Sequence, residues 1–358
     1  MKVSFFGAYE ASYPRHEVIR KGLMANGIEL SECRVKPGAK SWIRYPLLAA
    51  QGFKVRRKVV FVPEFCQKDV PLARFLSWGF GNRVVFDPLA TRFETKILDW
   101  QRKPEGSLAA WWNYKIDSWA FRLSHLILAD TQAHKEYFCR SYGLPEGKVA
   151  VLPVGYDETI YAPSSGPAQE GANFPATVLF FGSFVPLHGV ETVVQAAALI
   201  FRQDPSLRFR LIGSGQTMPR ARSLASELGL QNIEFKGWLP QPDLVREIAS
   251  SDICLGIFGR TEKARRVVPH KVFQAMGMKK PVVTLQTPAA REFFRHRENI
   301  YLCSSPDPEC LAKAILELRK DESLRRGIAA RGYDLVRAKY STRPIGLILK
   351  TILENNLL

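Results

Sequence analysis

Nowhere in the 358 residues do eighteen apolar residues run without a charged one, so no segment of the length a bilayer-spanning helix needs is readable. The opening MKVSFFGAYE reaches Glu10 before a signal-peptide core could form, and the expected location is the cytosol. Cysteine is sparse. Cys33, Cys66, Cys139, Cys254, Cys303 and Cys310 are scattered with no CxxC pair, which excludes a thiolate metal knuckle or a dithiol redox motif and reads as six free thiols. Two carboxylates at a defined separation, the pair on which glycoside hydrolases depend, are also lacking. With no metal-ligand cluster in view either, no cofactor and no metal is expected.

Acid is in short supply as well. Thirty-four Asp and Glu against 51 Lys and Arg leave a formal charge of +17, which predicts an anionic partner: nucleic acid, an anionic membrane face or a diphosphate substrate. The imbalance peaks over residues 33–63, which hold no acid but carry Arg34, Lys36, Lys40, Arg44, Lys54, Arg56, Arg57 and Lys58 among Trp42, Tyr45 and Phe53. This stretch suits anionic lipid head groups, which would make the protein peripheral at the cytoplasmic membrane face, or else a plain solvated surface. RNA is a weaker reading, because no RNA-binding motif accompanies the charge.

What is present is ample apolar residue, 46%, enough for two cores at this length. Short apolar strands alternate with longer helical patterns, which indicates α/β layers with parallel strands. Strands are expected at 2–6, 83–86, 126–129 and 149–153, with helices over about 15–26, 108–124 and from 132 toward 142. After a Pro-, Gly- and Ser-rich stretch the pattern restarts, with strands at 177–181, 209–212, 232–236, 253–257 and 281–284 and a helix over 190–201. The division read from this is a first Rossmann-like domain over 1–157, a linker over 158–175, a second such domain over 176–335, and a helical segment over 336–358 returning to the first domain. Doubly wound units bind ligands beyond the carboxyl ends of their strands, so two of them facing one another make a central cleft in which site residues are sought.

The strongest local signal is RTEKARRVVPHKVFQAMGMKKP, residues 260–281. Pro269 suits the first turn of a helix whose apolar face uses Val272, Phe273 and Met276. Free N–H groups at that helix start, with Lys263, Arg265, Arg266 and Lys271 around them, are suited to a diphosphate; the plainer alternative is an ordinary cap with surface charges. In the first half, Asp87 follows a strand in VVFDPLATRFE and faces the expected crevice, either as an acceptor-side acid/base group or as the cap of the next turn.

The segment from Val268 and Pro269 through His270 and Lys271 resembles the carboxyl-domain signature of the family-four retaining glycosyltransferases of GT-B fold, in the subgroup with Pro-Asn-Lys-Val-Phe-Glu or Pro-Asn-Lys-Val-Phe-Gln where this chain has PHKVFQ. The family's two glutamates, eight positions apart, fall here on Arg266 and Gln274. Gln274 can still accept a ribose hydroxyl, whereas Arg266 cannot accept from a sugar and is assigned to phosphate. FGSFVPLHGVETVVQAA, residues 181–197, resembles the family segment with a Gly-Arg and a Lys-Gly. Gly182 matches, and Ser183 and His188 stand at the two cationic positions that offset charge on the leaving diphosphate. The stretch from IGSGQ onward resembles the segment that holds the nucleobase. It contains Gly213, in a GSG that a tight turn is enough to explain, and Trp238 as a base-side wall or a core residue. By the same resemblance Gly7 and Ala8 bring backbone close to donor phosphate, and Arg15 and His16 are acceptor contacts.

The resemblance implies transfer from a nucleoside-diphosphate sugar to a glycan, lipid-linked glycan or other hydroxyl acceptor, with retention, in pathways such as cell-surface polysaccharide synthesis. Asp87, His188 and Arg266 are the catalytic candidates. A sugar-nucleotide epimerase or hydrolase on the same scaffold is the first alternative, and an anion-binding protein that has lost the usual glutamates and cations is the second.

Overall fold

The computed structural model describes residues 1–52, 59–163 and 176–357. Lys54, Arg56, Arg57, Lys58 and most of the expected linker therefore lie outside the described residues. Val, Ile, Leu and Phe fill the central strands, which are buried on both faces, as parallel strands covered by helices must be. The chain forms two compact units, one of Met1–Gly155 with Tyr340–Leu358 and the other of Tyr156–Lys339.

In the first unit the strands are β1 (Lys2–Gly7), β2 (Glu29–Arg34), β3 (Val59–Val62), β4 (Arg83–Phe86), β5 (Leu126–Ala129) and β6 (Val149–Val151). Its helices up to that point are α1 (Pro14–Ala25), α2 (Ser41–Ala50), α3 (Val70–Trp78), α4 (Leu108–Leu123) and α5 (Gln132–Tyr142). The sheet runs β2-β1-β3-β4-β5-β6 with every pairing parallel, so strand order reverses between β1 and β3. Helix ends follow local chemistry: Thr131 accepts from the His134 N–H to start α5, and Gly143 ends it in the left-handed region at φ 61°.

The second unit contains β7 (Thr177–Phe181), α6 (Val190–Phe201), β8 (Arg208–Ile212), α7 (Met218–Glu227), β9 (Ile233–Lys236), α8 (Gln241–Ala249) and β10 (Ile253–Leu255). It continues with α9 (His270–Gly277), β11 (Val282–Leu285), α10 (Pro288–Phe293), β12 (Tyr301–Cys303), α11 (Pro308–Lys320) and α12 (Glu322–Lys339). Its parallel sheet is ordered β9-β8-β7-β10-β11-β12, and the reversal lies between β7 and β10. Both sheets are thus doubly wound, each with one switch point where ligands bind in such folds.

The break after α12 sends α13 (Thr342–Leu357) into the first unit. It packs on α1 at a glycine crossing: a Cβ on Gly346 would stand 2.1 Å from the Gly22 backbone, and Asn26 Nδ2 donates to the Arg343 carbonyl at 2.9 Å. No bulkier pair fits there.

A buried charged network ties the first unit together. His134 stands with Nδ1 2.5 Å from Asp130 Oδ1 and Nε2 3.1 Å from Glu94 Oε2, and all three side chains are buried. Burial alone lowers its pKa, but the two carboxylates overcome that and hold it at about 9, so the ring is an imidazolium at neutral pH.

Candidate functional site

In the second unit the switch point is built by glycine. Gly182, Gly213 and Gly215 have φ of 133°, 135° and 151°, a region that other residues adopt only under strain. A Cβ on Gly213 would meet the Gly182 carbonyl oxygen at 1.9 Å, and one on Gly215 would meet that of Phe184 at 2.5 Å. The turns after β7 and β8 are therefore interlocked, with Gly182 N–H donating to Ile212 O at 2.9 Å and Phe184 N–H to Ser214 O at 2.9 Å. Gly213 serves that packing, and its role is the tight turn. The loop that follows holds a turn at Pro186–His188, ended by Gly189 at φ 62°, and is fixed from β10's side by Phe258 N–H donating to His188 O at 3.0 Å.

Onto this frame α9 presents its first turn. Pro269 precedes the helix with extended backbone and no side chain caps it. Val272, Phe273 and Met276 are buried, as the sequence pattern required. Lys271 is only 5% exposed, its Nζ has no hydrogen-bond acceptor, and it sits 3.7 Å from the centroid of the Phe180 ring at the end of β7. Burial pushes its pKa well below the usual lysine range. A buried lysine over a ring face, beside an uncapped helix start, would regain its charge if an anion bound there.

His188 lies against the same point, since a Cβ on Gly182 would be 3.5 Å from His188 Cε1 and 3.9 Å from Lys271 Cδ. Its Nδ1–H donates to the Ser183 carbonyl. Burial, reinforced by the charges of Lys271 and Lys263, drives its pKa well below 6.5, so the ring is neutral and Nε2 carries a lone pair. In the ligand-free protein His188 is therefore neutral with Nδ1 engaged, and in that form it offers an acceptor for a hydroxyl.

The other second-unit candidates divide by exposure. Gln274, one turn beyond Lys271, is buried to 6% exposure, and Val268 and Lys263 are buried as well. Arg266 donates to Glu262 Oε2 at 3.3 Å from the turn before α9, while Arg265 is exposed, with Glu262 at 3.9 Å. Trp238, just past β9, is 61% exposed, so its ring is a free face and not a core residue. Nothing in the sequence pattern pointed to Phe180 beneath Lys271, although it stands in the expected 177–181 strand two residues before Gly182.

The first-unit candidates fare differently. Asp87 and Arg15 are both fully buried and joined to each other: Arg15 Nε donates to Asp87 Oδ2 at 2.6 Å and Nη2 to Oδ1 at 3.1 Å, and the remaining donors reach the Leu152 and Pro153 carbonyls at 3.1 Å. Burial opposes the Arg15 charge, but Asp87 more than offsets it and the pKa rises. The pair fastens α1 to the ends of β4 and β6. In this arrangement Asp87 and Arg15 satisfy one another and neither is exposed to solvent. His16 is 1% exposed, its ring 4.7 Å from Phe5 and 4.5 Å from Tyr9, and burial lowers its pKa to about 4. It is a core residue of α1. In the turn after β1 the Ala8 N–H donates to Asp69 Oδ2 at 2.8 Å, and that carboxylate would be 2.9 Å from a Cβ on Gly7. Among the described residues no group of His, Cys, Asp and Glu is arranged to hold a metal ion.

The strand orders and the single switch point in each unit fit one architecture. The chain has the GT-B fold. Over 99% of its length it superposes on all of the Anabaena HepE structure in complex with UDP and glucose, at a TM-score of 0.75 and 16% identity. The Thermosynechococcus elongatus sucrose-phosphate synthase aligns at 0.72 and 14% identity, covering 99% of this chain and 98% of that one. At such identities the likeness speaks for the fold. Residues 175–321 match the family model described as Glycosyl transferases group 1. The D-inositol 3-phosphate glycosyltransferase of Thermomonospora curvata is 28% identical over 224 residues, 57% of this chain and 51% of that protein. A lipopolysaccharide core biosynthesis glycosyltransferase of Rhizobium meliloti, LpsD, is 24% identical over 296 residues, 78% of this chain and 79% of that one. The chain spans about half the length of several of the curated relatives it matches.

Proposed function

We propose that this protein is a nucleotide-sugar-dependent glycosyltransferase that moves a sugar from a nucleoside diphosphate to a hydroxyl of a glycan or lipid-linked glycan, with retention of anomeric configuration. The observation that carries this reading is Lys271, a buried lysine without an acceptor at the uncapped start of α9, beside the β7/β10 switch point. A diphosphate supplies what that site lacks: negative charge, and oxygens for both Nζ and the first N–H groups of the helix. The match of residues 175–321 to group 1 glycosyl transferases supports the same reading. So do structural neighbours of the same fold, solved with UDP, UDP-glucose, or UDP and glucose.

In this reading Lys271 and the α9 N–H groups hold the donor diphosphate, with Arg266 and Lys263 adding charge at its edge. Gln274 accepts a ribose hydroxyl, Trp238 offers its exposed face to the base, and the His188 Nε2 lone pair accepts a donor-sugar hydroxyl. Only interactions that strengthen as the diphosphate departs accelerate transfer, and Lys271 is placed to provide one. The neutrality of His188 and Ser183 at the two positions expected to be cationic favours a second reading, an anion-binding protein without transferase activity. Incubation with a panel of nucleotide sugars and acceptors, followed by analysis of product stereochemistry, separates the two. A glycoside of retained configuration supports the transferase, whereas donor binding with neither transfer nor hydrolysis supports the binding protein.

A further inference from the structure

The first unit leaves an unusual amount of aromatic surface uncovered. On α4, Leu108, Trp111, Trp112 and Trp119 are 86%, 53%, 49% and 45% exposed. Their spacing of three, one and seven residues draws one stripe along the helix, and Arg122 continues it. The three indoles form a run, with Trp111 stacked on Trp112 at 6.0 Å and Trp112 edge-on to Trp119 at 5.6 Å. Neighbouring α3 exposes Phe75 and Trp78 at 70% and 79%, again on one face. Helix α2, which packs on α3, buries only Leu48 of its ten residues and exposes Trp42, Ile43 and Leu47. A soluble surface tolerates single apolar residues, but not three adjacent helices whose outer faces are mostly Trp, Phe, Leu and Ile.

Charge decides what covers this surface. The three helices carry Arg44, which is paired with the buried Asp69 carboxylate, and Arg74, Lys115 and Arg122, with Lys115 Nζ over the Trp111 ring at 5.6 Å. Their one acid, Asp117, is fully buried, where it accepts the Arg92 and Phe93 N–H groups at 3.0 and 2.8 Å. A second copy of the chain meeting this face across a two-fold axis would set like charges against like. A nucleic acid would leave the aliphatic Leu108, Ile43 and Leu47 in contact with phosphate or water. Indoles with basic side chains among them match the interfacial zone of a bilayer, where rings lie at head-group depth and the cations meet anionic lipid.

We propose that the outer faces of α2, α3 and α4 form a docking surface for a membrane bearing anionic lipid, with the indoles of Trp42, Trp78, Trp112 and Trp119 inserted at head-group level. The stretch over 33–63 suggests a membrane contact from its basic residues and interleaved aromatics; the exposed aromatic stripes of α3 and α4 lie outside that stretch. No helix among the described residues is long and apolar enough to cross a bilayer, so the contact would be interfacial. The inference stands independently of the donor site, which belongs to the other unit.

The test is flotation of the full chain at 150 mM salt with vesicles of phosphatidylcholine alone and with vesicles containing about a third phosphatidylglycerol. It is paired with tryptophan quenching by lipids brominated near the glycerol end of the acyl chain. The proposal expects recovery with the anionic vesicles, and quenching there. Each basic side chain brought to the surface contributes about fivefold in affinity, so recovery with neutral vesicles falls at least tenfold. The triple variant W78S/W112S/W119S should lose both signals while UDP binding and circular dichroism stay unchanged, because these side chains point away from the core. Equal absence of protein from both vesicle types overturns the proposal, as does flotation that the triple variant leaves intact. A concentration-dependent dimer in light scattering that the same variant abolishes would assign the face to a second copy, and salt-sensitive RNA binding lost in that variant would assign it to nucleic acid. Either result overturns the membrane proposal.

Discussion

Replacing Lys271 with methionine removes a charge while keeping a flexible apolar stem of similar length on Phe180, which makes it the sharpest perturbation of the proposed donor site. A unit charge 4 Å from a phosphate is worth about 4 kcal/mol at an effective dielectric of 20. Against this stands the cost of recharging a side chain that burial holds well below the ordinary lysine pKa in the free protein. The net, in line with a charge-assisted hydrogen bond, is about 2 to 3 kcal/mol, or roughly 30- to 150-fold in the dissociation constant of UDP. Uridine, which has no phosphate, should bind to within about twofold of the parent protein. Titration calorimetry supplies both numbers and one more. If Lys271 gains its proton only when the anion arrives, UDP binding takes up a proton where the free lysine is neutral, and the heat then depends on the ionisation enthalpy of the buffer. By the same linkage, affinity falls as pH rises through that range. A loss shared equally by UDP and uridine, or no loss for UDP, would refute the assignment.

Arg15→Met should destabilise the first unit by about 3 to 5 kcal/mol in urea unfolding, because it strands a buried carboxylate. The double variant R15M/D87L should recover most of that, a pattern that a surface acceptor contact would not give. Gly213→Ala should disrupt the second unit, since the new Cβ would stand 1.9 Å from the Gly182 carbonyl; soluble protein of parental urea midpoint would contradict the packing described. His134, with a folded pKa of about 9 against 6.5 for a free histidine, contributes stability that is complete below pH 6.5 and is lost as pH rises through 9. The loss is on the order of 3 kcal/mol, and H134Q should flatten the unfolding free energy of the first unit between pH 6.5 and 9.5.

Strand and helix alternation was legible wherever apolar runs stood between clear breakers: Arg83–Phe86, Leu126–Ala129, Thr177–Phe181 and the Val190–Phe201 helix fall on the residues the pattern marked. Over 29–62 the density of polar and charged residues hid β2, α2 and β3; β2, with the sequence Glu-Leu-Ser-Glu-Cys-Arg, buries only Cys33. In the second unit the helix start was legible because its residues lie close together: Pro269, Lys271 and the buried face of Val272, Phe273 and Met276 fall within eight positions. In the first unit the placing of the candidates was not, since the fate of a charged residue depends on partners far along the chain. Asp87 meets Arg15 across 72 positions and Ala8 meets Asp69 across 61, and neither pairing leaves a trace in local spacing. Exposure was equally unreadable. Trp238 was open to either a core or a surface place, and the helical pattern over 108–124 did not mark which way its indoles face.

The central claim is that the second unit binds a nucleoside diphosphate at the start of α9, and calorimetric titration of the folded full chain with UDP, GDP and ADP, each beside its nucleoside, tests it most directly. The account predicts that at least one diphosphate binds, more tightly than its nucleoside, with an advantage that K271M removes. Failure of all three diphosphates to bind, by protein whose cooperative unfolding demonstrates that it is folded, would contradict it.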